Sequence, residues 1–400
     1  MNRVRWIATL TGPLLLFATA CAGTPGPSPS GSPSSAASRP TAGQTVVTPS
    51  QQAVRCPVGS SPDVPGPAGQ ARPAVTEDLL YLPAAQDART GRLLAWDSTT
   101  RSTWAFDVCA NTWRDLRTAG GPPDAVNAMV YSVADDVLIV FVRTQAGDLA
   151  VWTYTPATNR WAALPLPTVS PSGFWMPNAA YDTRTGTVYV RDAATGALWF
   201  YTLSLNRWTV VSQFGELPPS RAVRQSAGQC TWMVYDVAAD RLVLILGVED
   251  PDARTWMFDP AARTWTRVRS EAPRLATGYS ESGAEAVYDA AHARTVVVVH
   301  DTTAAFDATT GAWSRLLPRV VPPAGSTPVV TVSGSTLPVV GAPDDRLVRL
   351  DETLVYDAVN RRVLMVGGLA RMSGSWPPLD DVWAYDLGTD SWLRLVAPTW

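Results

Sequence analysis

The sequence predicts an all-β fold assembled from repeated four-stranded sheets, and three observations predict it. Two aromatic residues nine positions apart recur along the chain as Trp104/Trp113, Trp152/Trp161, Trp199/Trp208, Trp256/Trp265, Ala304/Trp313 and Trp383/Trp392, with Ala304 replacing one Trp. Another aromatic follows two residues after each first member, at Phe106, Tyr154, Tyr201, Phe258, Phe306 and Tyr385. Residues two apart share one face of a strand. An apolar run behind a marker dipeptide precedes each unit, and helical periodicity is scarce. A repeat of about 50 residues is an array of supersecondary units. One four-stranded meander cannot bury both of its faces, whereas radial stacking of six such sheets does, as a six-bladed β-propeller.

The elements follow in chain order. Met1–Ala20 carries Arg3 and Arg5, an apolar core at Leu14-Leu-Leu-Phe17, and then Ala18-Thr19-Ala20-Cys21. This is the layout of a secretory signal peptide, and it is too short for a stable membrane span. Its end resembles a bacterial lipobox, which implies lipid on Cys21 and a chain anchored to the outer face of the bacterial cell membrane. Residues 21–73, rich in Pro, Ser, Gly, Thr and Ala, read as a disordered tether. Residues 74–400 are expected to form the propeller.

Within each unit a first hairpin is marked by Tyr181-Asp182, Tyr235-Asp236, Tyr288-Asp289 or Tyr356-Asp357, each followed by an apolar strand such as Leu242-Val-Leu-Ile-Leu246. Tyr131-Ser132 and Gln86-Asp87 are variants of the marker. The second hairpin carries the paired aromatics. Two residues before its second Trp stand Asn111, Asn159, Asn206, Arg263, Gly311 and Asp390. Asn, Gly and Asp tolerate the positive φ of a tight hairpin, so all but Arg263 suit it.

The order Tyr-Asp, apolar strand, Gly-Gly, Trp-x-Tyr-Asp and a further Trp resembles the Kelch repeat. The last unit matches it most fully, with Tyr356-Asp357, Val363-Leu-Met-Val366, Gly367-Gly368, Trp383-Ala-Tyr385-Asp386 and Trp392. The resemblance covers about residues 75–400 and implies a Kelch-type propeller like the central domain of galactose oxidase. That enzyme's copper site needs two histidines, two tyrosines and a cysteine, a set this chain cannot assemble. No metal or cofactor is expected.

Composition narrows the partners. The net charge is −3, from 35 acids and 32 bases that are all Arg, and no basic run occurs. Such a balance argues against nucleic acid. There are four cysteines. With Cys21 lipidated, three remain. Cys109 lies in the second hairpin of blade one and Cys230 at the start of blade four, across the ring and beyond the ~7 Å that bridged Cα atoms allow. Cys56, on the flexible approach, can reach blade one. A Cys56–Cys109 disulfide is therefore predicted, with Cys230 a free buried thiol.

In a meander the 1–2 and 3–4 turns share one end of the ring, and the 2–3 loops and blade-to-blade connections share the other. From each second Trp to the next marker the spacings are 18, 20, 27, 23 and 43 residues. The longest reflects an insertion around Arg319–Asp351, with an extra hairpin expected near Pro328–Val340. Blade six also has the longest 2–3 loop, Leu369–Asp380. Long loops on a rigid scaffold are where function usually sits. Candidate binding residues there are Arg221, Arg224, Tyr279, Glu281, Glu285, Asp351, Glu352, Arg371 and Trp376, each weighed against an ordinary solvated loop residue. Trp376 competes with a role as a hydrophobic peg for its own loop.

Signs of catalysis are few. His292 and His300 fall at opposite ends of one strand, and no nucleophile elbow, zinc motif or phosphate loop appears. His300 beside Asp301 is the one acid–base candidate. The expected function is a non-enzymatic binding module for a protein or glycan partner. The alternative is a carbohydrate-active enzyme, of glycoside hydrolase or lyase type, pairing Glu285 with Asp351 or Glu352 about 5–10 Å apart. A purely structural spacer in an envelope assembly is a third reading.

Overall fold

The computed structural model describes residues 54–73, 82–123, 126–145, 147–171, 178–192, 195–219, 231–246, 255–270, 284–299, 302–321, 331–332, 335–336, 349–350, 352–370 and 378–399. All of them lie in the compact unit Gln51–Trp400. Blade one is β1 (Ala84–Gln86), β2 (Leu93–Asp97), β3 (Ser102–Asp107) and β4 (Thr112–Asp115). Blade two is β5 (Val126–Ser132), β6 (Val137–Arg143), β7 (Leu149–Thr155) and β8 (Arg160–Ala163). Blade three is β9 (Asn178–Asp182), β10 (Thr187–Arg191), β11 (Leu198–Thr202) and β12 (Arg207–Val210). Blade four is β13 (Thr231–Asp236), β14 (Arg241–Leu246), β15 (Thr255–Asp259) and β16 (Thr264–Arg267). Blade five is β17 (Ala284–Asp289), β18 (Arg294–Val299), β19 (Thr302–Asp307) and β20 (Ala312–Leu316).

Between blades five and six come β21 (Arg319–Val321), the hairpin β22 (Thr331–Val332) and β23 (Ser335–Thr336), and β24 (Arg349–Leu350). Blade six is β25 (Thr353–Asp357), β26 (Arg362–Val366), β28 (Val382–Asp386) and β29 (Ser391–Val396), with β27 (Leu369–Ala370) in its 2–3 loop pairing with β24. Each blade is an antiparallel meander. The first strands neighbour one another in a closed ring, β1 with β5, then β9, β13, β17 and β25, and β25 again with β1. That ring makes the fold a six-bladed β-propeller.

The aromatic pairs fill the layers between blades. Phe106–Trp113, Tyr154–Trp161, Tyr201–Trp208, Phe258–Trp265, Phe306–Trp313 and Tyr385–Trp392 stack with centroids 4.9–5.1 Å apart. Such pairs contribute about 0.5–1.5 kcal/mol each beyond their buried area. Every Trp of the repeat is buried or half-buried. This consigns them to the core rather than to a ligand platform.

All twelve turns at one end of the ring contain a left-handed residue. In the second hairpins these are Asn111, Asn159, Asn206, Arg263, Gly311 and Asp390, with φ from 42° to 69°. In the first hairpins they are Gly91, Asp136, Gly186, Asp240, Ala293 and Arg361. Arg263, Ala293 and Arg361 adopt this backbone without a favourable residue type, held by the register of the strands on both sides. The marker Asp accepts from backbone N–H groups of its own turn, as Asp182 does from Arg184 and Thr185 and Asp357 from Val359 and Asn360. The marker Tyr then reaches the turn of the preceding blade: Tyr131 donates to Asp87, while Tyr181, Tyr288 and Tyr356 accept from the N–H groups of Ala134, Ala238 and Ala291. Gln86 takes over this role in blade one, donating to Asp357 at 3.1 Å and accepting from Ala358 N–H at 2.8 Å.

The ring closes without strand exchange, since every strand of blade one and blade six comes from its own contiguous region. Residues 54–73, expected to be disordered tether, are instead ordered along the seam between blades six and one. Among the described residues, the chain leaving one blade bonds the left-handed residue of the next in four of the other five seams. Phe214 N–H donates to Arg263 O and Phe214 O accepts from Trp265 N–H; Arg319 N–H donates to Asp390 O. Asn159 and Asn206 donate their amides to Leu116 O and Pro165 O. Blade one has no preceding blade in sequence, and the strap supplies the same groups. Asn111 donates to Pro62 O and Val64 O at 2.7 and 2.8 Å, and the Gln70 amide pairs with Asn111 O and Trp113 N–H. On the other flank, Gly66 N–H donates to Leu395 O, Arg362 pairs with Asp63, and Arg72 pairs with Asp380 and donates to Ala397 O. A Cβ on Gly66 would lie 1.9 Å from Asn111 O, so only glycine fits there.

Two features of the insertion differ in detail from the sequence expectation. Among the described residues the extra hairpin is β22 paired with β23. Arg319–Val321 is a fifth strand of blade six, parallel to β29, with Arg319 opposite Ser391.

Candidate functional site

The two ends of the ring are built differently. At the turn end, four residues separate the paired strands in every turn except β1–β2, where six do. Caps and inter-blade bonds occupy most of the polar groups there. At the loop end, separations run from two residues between β18 and β19 to 36 between β20 and β25. Chemical variation therefore concentrates at the loop end.

Two buried charge arrangements stand there. In blade six, Gly367 and Gly368 have φ of 64° and 100° and turn the chain out of β26. The turn lets Gly367 N–H donate to Asp381 O, and the β24–β27 pairing brings Arg349 over it. Arg349 forms a two-pronged ion pair with Asp381, with Nη1–Oδ1 at 2.7 Å and Nη2–Oδ2 at 2.9 Å, and also donates to Gly367 O. Trp383 Nε1 donates to Asp381 at 2.7 Å. The pair is 3% and 0% exposed. With all these partners, the Asp381 carboxylate is a structural anchor for the blade-six loop, not an available acid.

The second arrangement centres on Arg191, at the loop end of β10. Strand alternation puts Val188 and Val190 against blade two and Tyr189 and Arg191 toward blade four. Arg191 is 1% exposed and donates from Nη2 to Pro219 O at 3.2 Å, while its Nε and Nη1 have no hydrogen-bond partner among the described residues. Burial pushes its guanidinium down to about 10, with adjacent Asp192 pulling it partly back, so it stays charged at neutral pH. Nearby, Asn178 donates to Thr231 across the seam between blades three and four at 2.8 Å. A buried cation with two donors unpaired among the described residues is unusual and marks this end of blade three as a candidate site. Sequence reasoning missed Arg191; the available signal was a charged residue ending the otherwise apolar strand Thr187–Val190.

The sequence-derived candidates fall as follows. Arg221, Arg224, Tyr279, Glu281, Asp351, Arg371 and Trp376 lie outside the described residues, as do Cys21, Cys230, His300 and Asp301. Glu285 is paired with Val298 in β17, and its side chain is likewise outside the description. Glu352 is fully buried beside the start of β25. His292 sits in a turn, its Nδ1 2.7 Å from Asp289 Oδ2. Cys56 and Cys109 form a disulfide with Cα atoms 5.4 Å apart. Among the described residues no cluster of three or more potential metal ligands occurs, and no helix is long and apolar enough to cross a membrane.

No family model matches the chain, and no curated protein matches it. Among solved structures, a structural genomics protein of unknown function from Bacteroides thetaiotaomicron aligns over 76% of this chain and 70% of its own, at 10% identity and a TM-score of 0.46. The propeller assignment rests on the sheets and their ring, not on this likeness.

Proposed function

We propose that this chain is a Kelch-type propeller acting as a non-enzymatic binding module, carried outside the cell on lipid-modified Cys21 and taking a protein or glycan partner at its loop end. The observation that carries the reading is Arg191, a buried guanidinium with two nitrogens unpartnered among the described residues, on the end where the connections lengthen. Protein and glycan surfaces both offer the carbonyl, carboxylate or hydroxyl oxygens it lacks. The chain also joins the ring at the opposite end, where Cys56 is bonded to Cys109 in a turn of blade one.

Cross-linking capture from intact cells, with the full chain as bait, tests this. Arg191→Met is expected to fold at least as stably, because an apolar side chain suits the seam, and to lose a partner that wild type and Arg207→Gln at the turn end both retain. Retention by Arg191→Met with loss from Arg207→Gln overturns the assignment of the face. Sugar turnover abolished by Glu285→Gln overturns the non-enzymatic reading. Cys21→Ser is expected to release the chain from the membrane fraction.

A further inference from the structure

We propose a second binding site at the turn end, in the cleft between blades one and two, that takes the oxyanion of a small organic ligand through Arg92 and Arg114. The cleft encloses about 410 Å³ and is walled by Arg89, Arg92, Arg114, Leu116, Tyr154 and Pro156 among others. That volume lies within the range of small-molecule sites.

The repeat itself provides the comparison. The residue after the left-handed position of the first hairpin is Arg92, Arg241, Arg294 and Arg362 in blades one, four, five and six, and Arg362 pairs with Asp357 and Asp63. Arg241 pairs with Asp259 at 2.9 Å and Arg294 with Asp307 at 3.0 Å, in each case the Asp that opens the second turn of the same blade. Blade one keeps that Asp, as Asp107, which accepts from Cys109 and Ala110 N–H. Yet the Arg92 side chain forms no ion pair or hydrogen bond among the described residues and lines the cleft. Arg114 also has no side-chain partner among them. It follows Trp113, and the residues following the other second tryptophans are Ala162, Thr209, Thr266, Ser314 and Leu393, all uncharged. Blade one thus places a cation where the repeat otherwise has none, beside another cation that, unlike Arg241, Arg294 and Arg362, pairs with no carboxylate among the described residues.

The remaining charges do not neutralise the two. Arg89 spans the seam to Asp136 at 2.8 Å. The carboxylate of Asp87 is buried and occupied by Arg89 N–H, Thr90 and Tyr131. Two unpaired guanidinium groups in a concave wall focus positive potential, and their planar donor forks match the oxygens of a carboxylate or phosphate. Leu116 and Pro156 offer apolar contact for the ligand's body.

Calorimetric titration of the full chain with inorganic phosphate and, separately, with glucuronate tests the site. Saturable binding of at least one probe is expected, weakened at least tenfold by Arg92→Gln with Arg114→Gln and unchanged by Arg207→Gln. Binding of phosphate alone points to a phosphate-bearing ligand, and binding of glucuronate alone to an acidic sugar. Absence of saturable binding of either probe, or equal binding by wild type and the double variant, overturns the proposal. All three arginines are exposed, so unaltered thermal melts are expected to accompany every outcome.

Discussion

The side-chain amide of Gln70 stands against the backbone of Trp113 as a peptide group does in the seam between blades three and four, its Oε1 accepting the Trp113 N–H at 2.7 Å while its Nε2 donates to Asn111 O at 3.1 Å. Phe214 offers its own N–H and C=O to Arg263 and Trp265 in the same pattern. The strap therefore completes the ring with a side chain that imitates main chain. Replacing Gln70 with Leu leaves a buried donor and a buried acceptor unpaired, which costs about 1–3 kcal/mol. Gln70→Glu keeps the acceptor and loses the donor, so its midpoint in urea unfolding is expected to fall between those of wild type and Gln70→Leu. An unchanged Gln70→Leu midpoint would show that the strap rests on the ring without closing it.

The Cys56–Cys109 bond closes a sequence separation of 53 residues and pins the strap where it meets blade one. Cys56→Ser is expected to lower stability by about 2–4 kcal/mol, and reductant is expected to do the same to wild type while leaving the variant unchanged. Peptide mapping is expected to show Cys56 joined to Cys109 and Cys230 as a free thiol. A Cys109–Cys230 linkage would contradict both the pairing and the blade assignment.

Asp381 holds Arg349 and Trp383 together in a site without solvent. Asp381→Leu strands the guanidinium and is expected to cost about 3–5 kcal/mol. Adding Arg349→Leu is expected to recover part of that loss, because two apolar groups need no partners. Thermal melts of the two single variants and the double variant form a cycle whose coupling energy checks the account. Simple additivity would mean the pair is not coupled.

Burial pushes the phenols of Tyr154, Tyr189 and Tyr356 up to about 12 and also raises those of Tyr201 and Tyr385. The folded state thus favours the neutral phenol. Its contribution is fully present below the ordinary value near 10 and is lost as pH rises from there through about 12. Alkaline titration is expected to show phenolate absorbance from these tyrosines rising together with unfolding. Early ionisation of all 11 tyrosines in a folded chain would overturn this account.

The legible part of the fold was its local chemistry. Period-two aromatics and turn residues specify hairpins, because strand facing and positive φ depend on neighbours in the chain. Gln86 shows the limit. In sequence it is a weak variant of the Tyr marker, and only the position of Asp357 across the ring shows that its amide makes the same inter-blade contact. β21 shows another, since a parallel pairing of Arg319 with Ser391, 72 residues on, leaves no periodic trace.

The sequence by itself determined the number of blades, their strand order, the disulfide partners and which end of the ring bears long connections. Each follows from spacing along one chain. Only the tertiary structure decided that residues 54–73 close the ring, that Arg191 is buried with open donors, and that Arg92 and Arg114 share a cleft. These depend on which groups lack partners, and a missing partner is a property of three-dimensional surroundings. A Gln, a Gly or an Arg reads the same in a tether as in a seam until the groups it faces are known.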